Sequence, residues 1–319
     1  MGVPAAGGPS GRAVTGRWGA LVAAVARREP ATAVAVVRIV YGVAIAAHHL
    51  RLALTGTWRW IWLPPEAGGL VPIDGGLFDL VGGPTADTVG PAVGFTIVAA
   101  IALAVGWGTP VAAAATAFGW AVTTGLGANA GGSYDLLGGN VCFLLIFAGS
   151  GGAWSVDAWR RRRRGLPVAD APVWPRWLMV WQLVLMYSTT AWQKVSAGWV
   201  LGGPADALWY ILQQPTWQLR DMRWVAPYYP LTQAMTSLTW AWEHAAVVLV
   251  AAAWFRATRC RPGWLRAQFN RFDVRAPYLA FGVLLHLGIE LTMEVGAFTP
   301  FTLALYAACF SGDELTRRR

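Results

Sequence analysis

Apolar residues run through this chain in long blocks, broken by short stretches rich in Gly, Pro and Arg. A bilayer core of ~30 Å takes about 20 mostly apolar residues in one helix. Eight blocks meet or approach that length: 33–53, 89–107, 109–128, 134–151, 174–193, 232–255, 277–295 and 298–311. The last is the shortest and opens at Phe298-Thr299-Pro300, so it is expected to tilt or to begin in the interface. Only Gly108-Thr109-Pro110 separates the second block from the third, a turn signal that favours a helical hairpin over one long helix. The predicted fold is all-α: a polytopic membrane bundle of about eight transmembrane helices over 33–311. An N-terminal tail (1–32) precedes it and a basic tail (312–319) follows. Trp18–Ala26 imitates the end of a signal peptide, but the run is short and Arg27-Arg28 follow at once. An interfacial helix is expected there.

Charge placement orients the bundle. The 319 residues are 56% hydrophobic and 13% charged, yet the formal net charge is +9. Soluble domains carry about 25% charged residues. The basic residues lie in the N-terminal tail (Arg12, Arg17, Arg27, Arg28), after the fourth block (Arg160–Arg164, Arg176), between the sixth and seventh (Arg256 to Arg275) and at Arg317–Arg319. With eight spans, 19 of the 25 basic residues share one side. The positive-inside rule then puts both termini in the cytoplasm of a multi-pass plasma-membrane protein. Loop arginines without a nucleic-acid-binding motif exclude a nucleic-acid partner; the partner is the lipid bilayer. The run Arg160–Arg164 reads first as topogenic, with anionic headgroups as the alternative. Two long segments on the other side, 54–88 and 195–231, are rich in Gly, Pro and Trp. They read as an aromatic belt or as the cover of a cavity.

Ionisable groups inside apolar blocks mark candidate sites, because burying them is costly. Lys194 ends the fifth block and is the only lysine in the chain. A partly desolvated lysine can act as a base. His286 and Glu290 stand four apart and share a helix face, with Glu294 further along it. Glu243 and His244 are adjacent, so at most one faces inward, and Glu243 is expected to be the buried partner of a cation. Arg38 needs a counter-charge, for which Glu243 and Asp135 are the candidates. No metal site is expected: His48-His49 diverge on a helix, and His49 with His286 is a weak pair. Cys142, Cys260 and Cys309 are far apart and form no metal or disulfide pattern. Arginine in place of lysine, with abundant Ala, Gly and Val, points to a GC-rich genome.

Five features occur in order: Arg38-Ile39-Val40-Tyr41-Gly42, Trp154-Ser155-Val156-Asp157, Lys194 with Ala197-Gly198-Trp199-Val200-Leu201-Gly202, the acidic Glu243, and Val295-Gly296-Ala297-Phe298. Together they resemble the motifs of the horizontally transferred transmembrane (HTTM) domain family, which includes the membrane part of vitamin K-dependent gamma-carboxylase. The resemblance implies a catalytic base at Lys194 with His286 and Glu243 in support. It further implies a reduced quinone, vitamin K-like, as cofactor near Arg38, Trp199 and Glu290. A secreted peptide is the implied partner. The sequence departs from the carboxylases at two points. A family histidine before the fourth span reads here as Gly132, and the chain ends at Arg319 without the large luminal domain. The expectation is therefore a membrane enzyme on a lipophilic, quinone-type substrate near the outer leaflet rather than a peptide carboxylase. Two alternatives stand beside it. One is a non-catalytic partner for maturation or export of a secreted peptide. The other is a transporter with Arg38, Glu243 and His286 on an ion path.

Overall fold

The computed structural model describes residues 17–127 and 131–316. Its helices run α1 (Arg17–Ala26), α2 (Thr32–Thr55), α3 (Thr57–Trp62), α4 (Ala86–Val105), α5 (Thr109–Thr124), α6 (Ser133–Phe147), α7 (Val156–Arg163) and α8 (Val173–Gln193). They continue with α9 (Ala207–Gln213), α10 (Tyr229–His244), α11 (Val247–Ala257), α12 (Trp264–Arg271), α13 (Arg275–Thr292), α14 (Phe298–Ala308) and α15 (Gly312–Thr316). A two-residue antiparallel ladder pairs β1 (Arg28–Glu29) with β2 (Ala171–Pro172). Arg12 and Arg317–Arg319 lie outside the described residues.

Each apolar block folds as helix, with one break. The block 232–255 divides into α10 and α11, and the axis bends there by 42°. A second bend of 52° separates α12 from α13. Among the described residues, α2 and α4 alone suffice by length and composition to cross a membrane, and counting each bent pair as one span raises the number to four. The remaining apolar helices fall short in length or hydropathy: α5 has 16 residues, α6 has 15 and α14 has 11. At 1.5 Å per residue, an 11-residue helix covers only ~17 Å.

Helix α2 is the centre of the bundle, packed on α4 and α14. Gly42 allows the first contact: a Cβ there would stand 2.5 Å from the Ala104 nitrogen. Tyr41 makes the second, stacking on Phe301 at 4.4 Å and 5°. Large apolar side chains also cover the outside, among them Val98, Val111, Phe143, Leu185 and Leu284. A surface this apolar is the mark of a lipid-facing bundle rather than of a soluble domain. Trp18, Val22 and Val25 of α1 are exposed too.

The ends of the helices gather into two faces. At one, β1–β2 brings the N-terminal segment onto the start of α8, and Glu29 pairs with buried Arg176. Arg176 also donates to the carbonyl of Ala308 at the end of α14. Arg275 donates to the Cys309 carbonyl and pairs with Asp273 and Glu314, and Arg256 joins Glu314. Three arginines read as loop punctuation thus hold the helix ends together. At the other face, Arg51 pairs with Glu294 and Gln218 bridges to Met293.

Candidate functional site

Lys194 caps the C-terminus of α8, at the face away from the arginines. Its Nζ stands 2.6 Å from both carboxylate oxygens of Glu243 on α10. The Trp199 ring lies under the ammonium, 4.3 Å to its centroid, a cation–π contact. Trp240 donates its indole N–H to the Lys194 carbonyl. The two charged side chains are 16% and 9% exposed, so the pair is largely withdrawn from solvent. Glu243 is the buried member of the Glu243–His244 pair. The His244 ring turns back on Trp240 instead.

His286 sits in a separate network. Its Nε2 is 2.6 Å from the Tyr187 hydroxyl, which in turn lies 2.8 Å from the Tyr306 hydroxyl. Its Nδ1 is buried with no partner among the described residues. No hydrogen bond or ion pair joins His286 to Lys194; Trp242, beside Glu243, reaches the imidazole at 6.4 Å between ring centroids. Glu290 is exposed and lines a groove with Val43, Ala47 and Met293, apart from the His286 network.

Arg38 takes neither expected counter-charge, since Glu243 holds Lys194 and Asp135 accepts from the Gly132 nitrogen. Its guanidinium is fully buried and donates to the Trp154 carbonyl at 2.6 Å. Trp154 has a φ of +46°, and Gly106, with φ +72°, packs against the same guanidinium. Asp157 receives N–H bonds from Gly108 and Thr109 and the Thr109 hydroxyl, so it caps α5 from outside. Burial raises the Asp157 carboxyl, but these bonds and nearby Arg160 outweigh it and hold it below the usual range. Ser155 caps α7 through the Ala158 N–H. The segment Trp154–Asp157 is therefore a structural knot at the arginine-rich face. Arg38 belongs to it, at the other end of the bundle from Lys194: α8 alone rises ~30 Å between the two faces.

One constellation escaped the sequence reading. A cavity of about 510 Å³ opens at the Lys194 end, lined by His48, Trp62, Tyr134, Asp135 and Phe298, with the Arg51–Glu294 pair at its edge. The His48 ring lies 6.2 Å from that of Tyr134, and no hydrogen bond engages it among the described residues. The signal in sequence was the i, i+3 pair His48 and Arg51 in an apolar block. His49, by contrast, is buried on the Thr123 hydroxyl and the Ile45 carbonyl and does not meet His286. No group of three metal-ligating side chains occurs among the described residues.

An apolar-coated helical bundle with a desolvated Lys–Glu pair at one end and an arginine-lined face at the other defines an integral membrane protein. The HTTM domain matches residues 26–311, nearly the whole chain, and the chain belongs to that family. No curated protein and no solved structure matches it.

Proposed function

We propose that the chain is an eight-span plasma-membrane enzyme with both ends in the cytoplasm, acting at its outer end on a lipophilic weak acid of the reduced-quinone class. The carrying observation is the only lysine of the chain, held through two 2.6 Å contacts to buried Glu243 and covered by Trp199. Alternating helix ends support the eight-span reading, with the turn between α4 and α5 beside the arginine-rich face and Met293 beside the opposite loop.

A pair that shares a proton across two short contacts can exist as ammonium and carboxylate or as amine and carboxylic acid. Low local polarity narrows the gap between these forms. In the neutral form the Lys194 amine takes a proton from an acidic hydroxyl while the Glu243 carboxylic acid gives its own proton to water, which leaves ammonium and carboxylate paired. The cavity at the same end suits a hydroquinone ring, with Trp62 and Phe298 as apolar walls and His48 and Tyr134 as hydrogen-bonding groups; Lys194 and Glu243 do not line it, so a bound ring would reach the pair only from its edge. A hydroquinone, when bound, would supply two electrons to an external oxidant. Lys194 and Glu243 move the proton, and the aromatic wall limits water.

Turnover of a ubiquinol or menaquinol analogue by the protein in liposomes tests this. Lys194→Ala that folds normally is expected to lose activity at least 100-fold; wild-type turnover in that variant removes the proposal. A non-catalytic maturation partner would be indifferent to the same substitution.

A further inference from the structure

A second cavity, of about 650 Å³, lies at the arginine-rich face. Eight arginines line it. Three of them, Arg176, Arg256 and Arg275, are paired with Glu29, Asp273 or Glu314. The other five, Arg27, Arg28, Arg259, Arg261 and Arg266, form no ion pair among the described residues. Arg266 hydrogen-bonds the Thr258 hydroxyl and the carbonyls of Arg261 and Pro262 and lies over the Phe255 ring, and Arg28 hydrogen-bonds the Asp170 carbonyl. Four acidic side chains in and behind the wall, Glu29, Asp273, Asp313 and Glu314, leave an excess of four positive charges in a concave space. Concave walls of one sign concentrate the field and draw in counter-ions.

The cavity also has an apolar side. Trp177 of α8 and Ala253 and Ala257 of α11 continue it toward the lipid-facing surface. Next to it α12 carries exposed Trp264 and Leu265, followed by exposed Phe272, alongside Arg266 and Arg271. That is the composition of a helix lying at the headgroup level. Guanidinium groups bind phosphate through paired N–H donors.

We propose that this cavity binds a phosphate group, and specifically the headgroup of an anionic phospholipid of the cytoplasmic leaflet. Its acyl chains run along Trp177 and α11. The site is independent of the Lys194 chemistry and occupies the opposite end of the bundle; its leaflet alone rests on the proposed orientation.

The test uses the full chain purified in detergent, with phosphatidylglycerol, phosphatidylcholine of the same chains, and inorganic phosphate as probes. Native mass spectrometry is expected to retain one phosphatidylglycerol on the wild type, at least tenfold above phosphatidylcholine. The Arg259→Gln/Arg261→Gln variant changes two exposed side chains and is expected to lose that adduct. Arg160→Gln/Arg162→Gln, outside the cavity, is expected to keep it. Equal retention of the two lipids, or loss in the outside variant alone, overturns the site. Inorganic phosphate that raises the melting temperature as much as phosphatidylglycerol, and only with the cavity arginines present, overturns the lipid source in favour of free phosphate.

Discussion

Lys194 and Glu243 are 49 residues apart in sequence, yet the ammonium nitrogen touches both oxygens of one carboxylate. The contact joins the C-terminus of α8 to the last turn of α10, just before the bundle bends into α11. Removing one member leaves the other charged and largely buried, which costs about 3 kcal/mol or more. Lys194→Ala and Glu243→Leu should each lower the unfolding temperature in detergent. The double variant Lys194→Met/Glu243→Leu should recover most of that loss while regaining no turnover. Additive destabilisation in the double variant would show that the two charges do not depend on each other.

Tyr187 lies between His286 and Tyr306. Tyr187→Phe strands the buried imidazole nitrogen, at a cost of roughly 1–3 kcal/mol. Tyr306→Phe leaves the Tyr187–His286 contact in place and should cost less. Denaturant or thermal unfolding of both variants reads the order, and the reverse order would place the main support of His286 elsewhere.

Gly56 and Gly106 both have φ +72°, but only Gly106 meets a neighbour, with the position of a Cβ 1.9 Å from Arg38 Nη1. Gly56→Ala should cost about 1 kcal/mol for the left-handed backbone alone. Gly106→Ala adds displacement of a buried guanidinium and should be clearly worse. Equal effects would mean that Arg38 swings away freely.

Glu314 lies beyond the last apolar helix. Burial pushes its carboxyl up, but hydrogen bonds from Arg275, the Ser311 N–H and Arg256 outweigh this and lower it from 4.5 to about 2. A depressed folded value means stability that is complete above the ordinary value and lost as pH falls. The melting temperature should therefore fall between about pH 4.5 and pH 2, and Glu314→Gln should flatten that slope. An unchanged slope assigns the acid sensitivity to other carboxylates.

Cys260 is exposed while Cys142 and Cys309 are buried, so the native chain carries its own reporter. A membrane-impermeant maleimide should label Cys260 only after cells are opened. Labelling from outside intact cells would invert the proposed orientation.

The order of apolar blocks was enough to place almost every long helix, because burial in lipid demands length and apolarity that a single sequence displays openly. The arginine loops likewise declared which helix ends belong together. Lys194 was legible as a lone exception, and Glu243 as the inward member of its pair. Their union was not, since periodicity says which face a residue occupies but not which helix meets that face. The same limit misassigned Arg38, which donates to the Trp154 carbonyl and has Asp157, rather than Glu243 or Asp135, as its nearby acid. It hid the His48 cavity, formed where α2 meets the segments around Tyr134 and Phe298. Sequence alone determined the class of protein, because that follows from transfer of each segment out of water. The tertiary structure decided which charges pair and which cavities remain, because those depend on contacts between segments far apart in the chain.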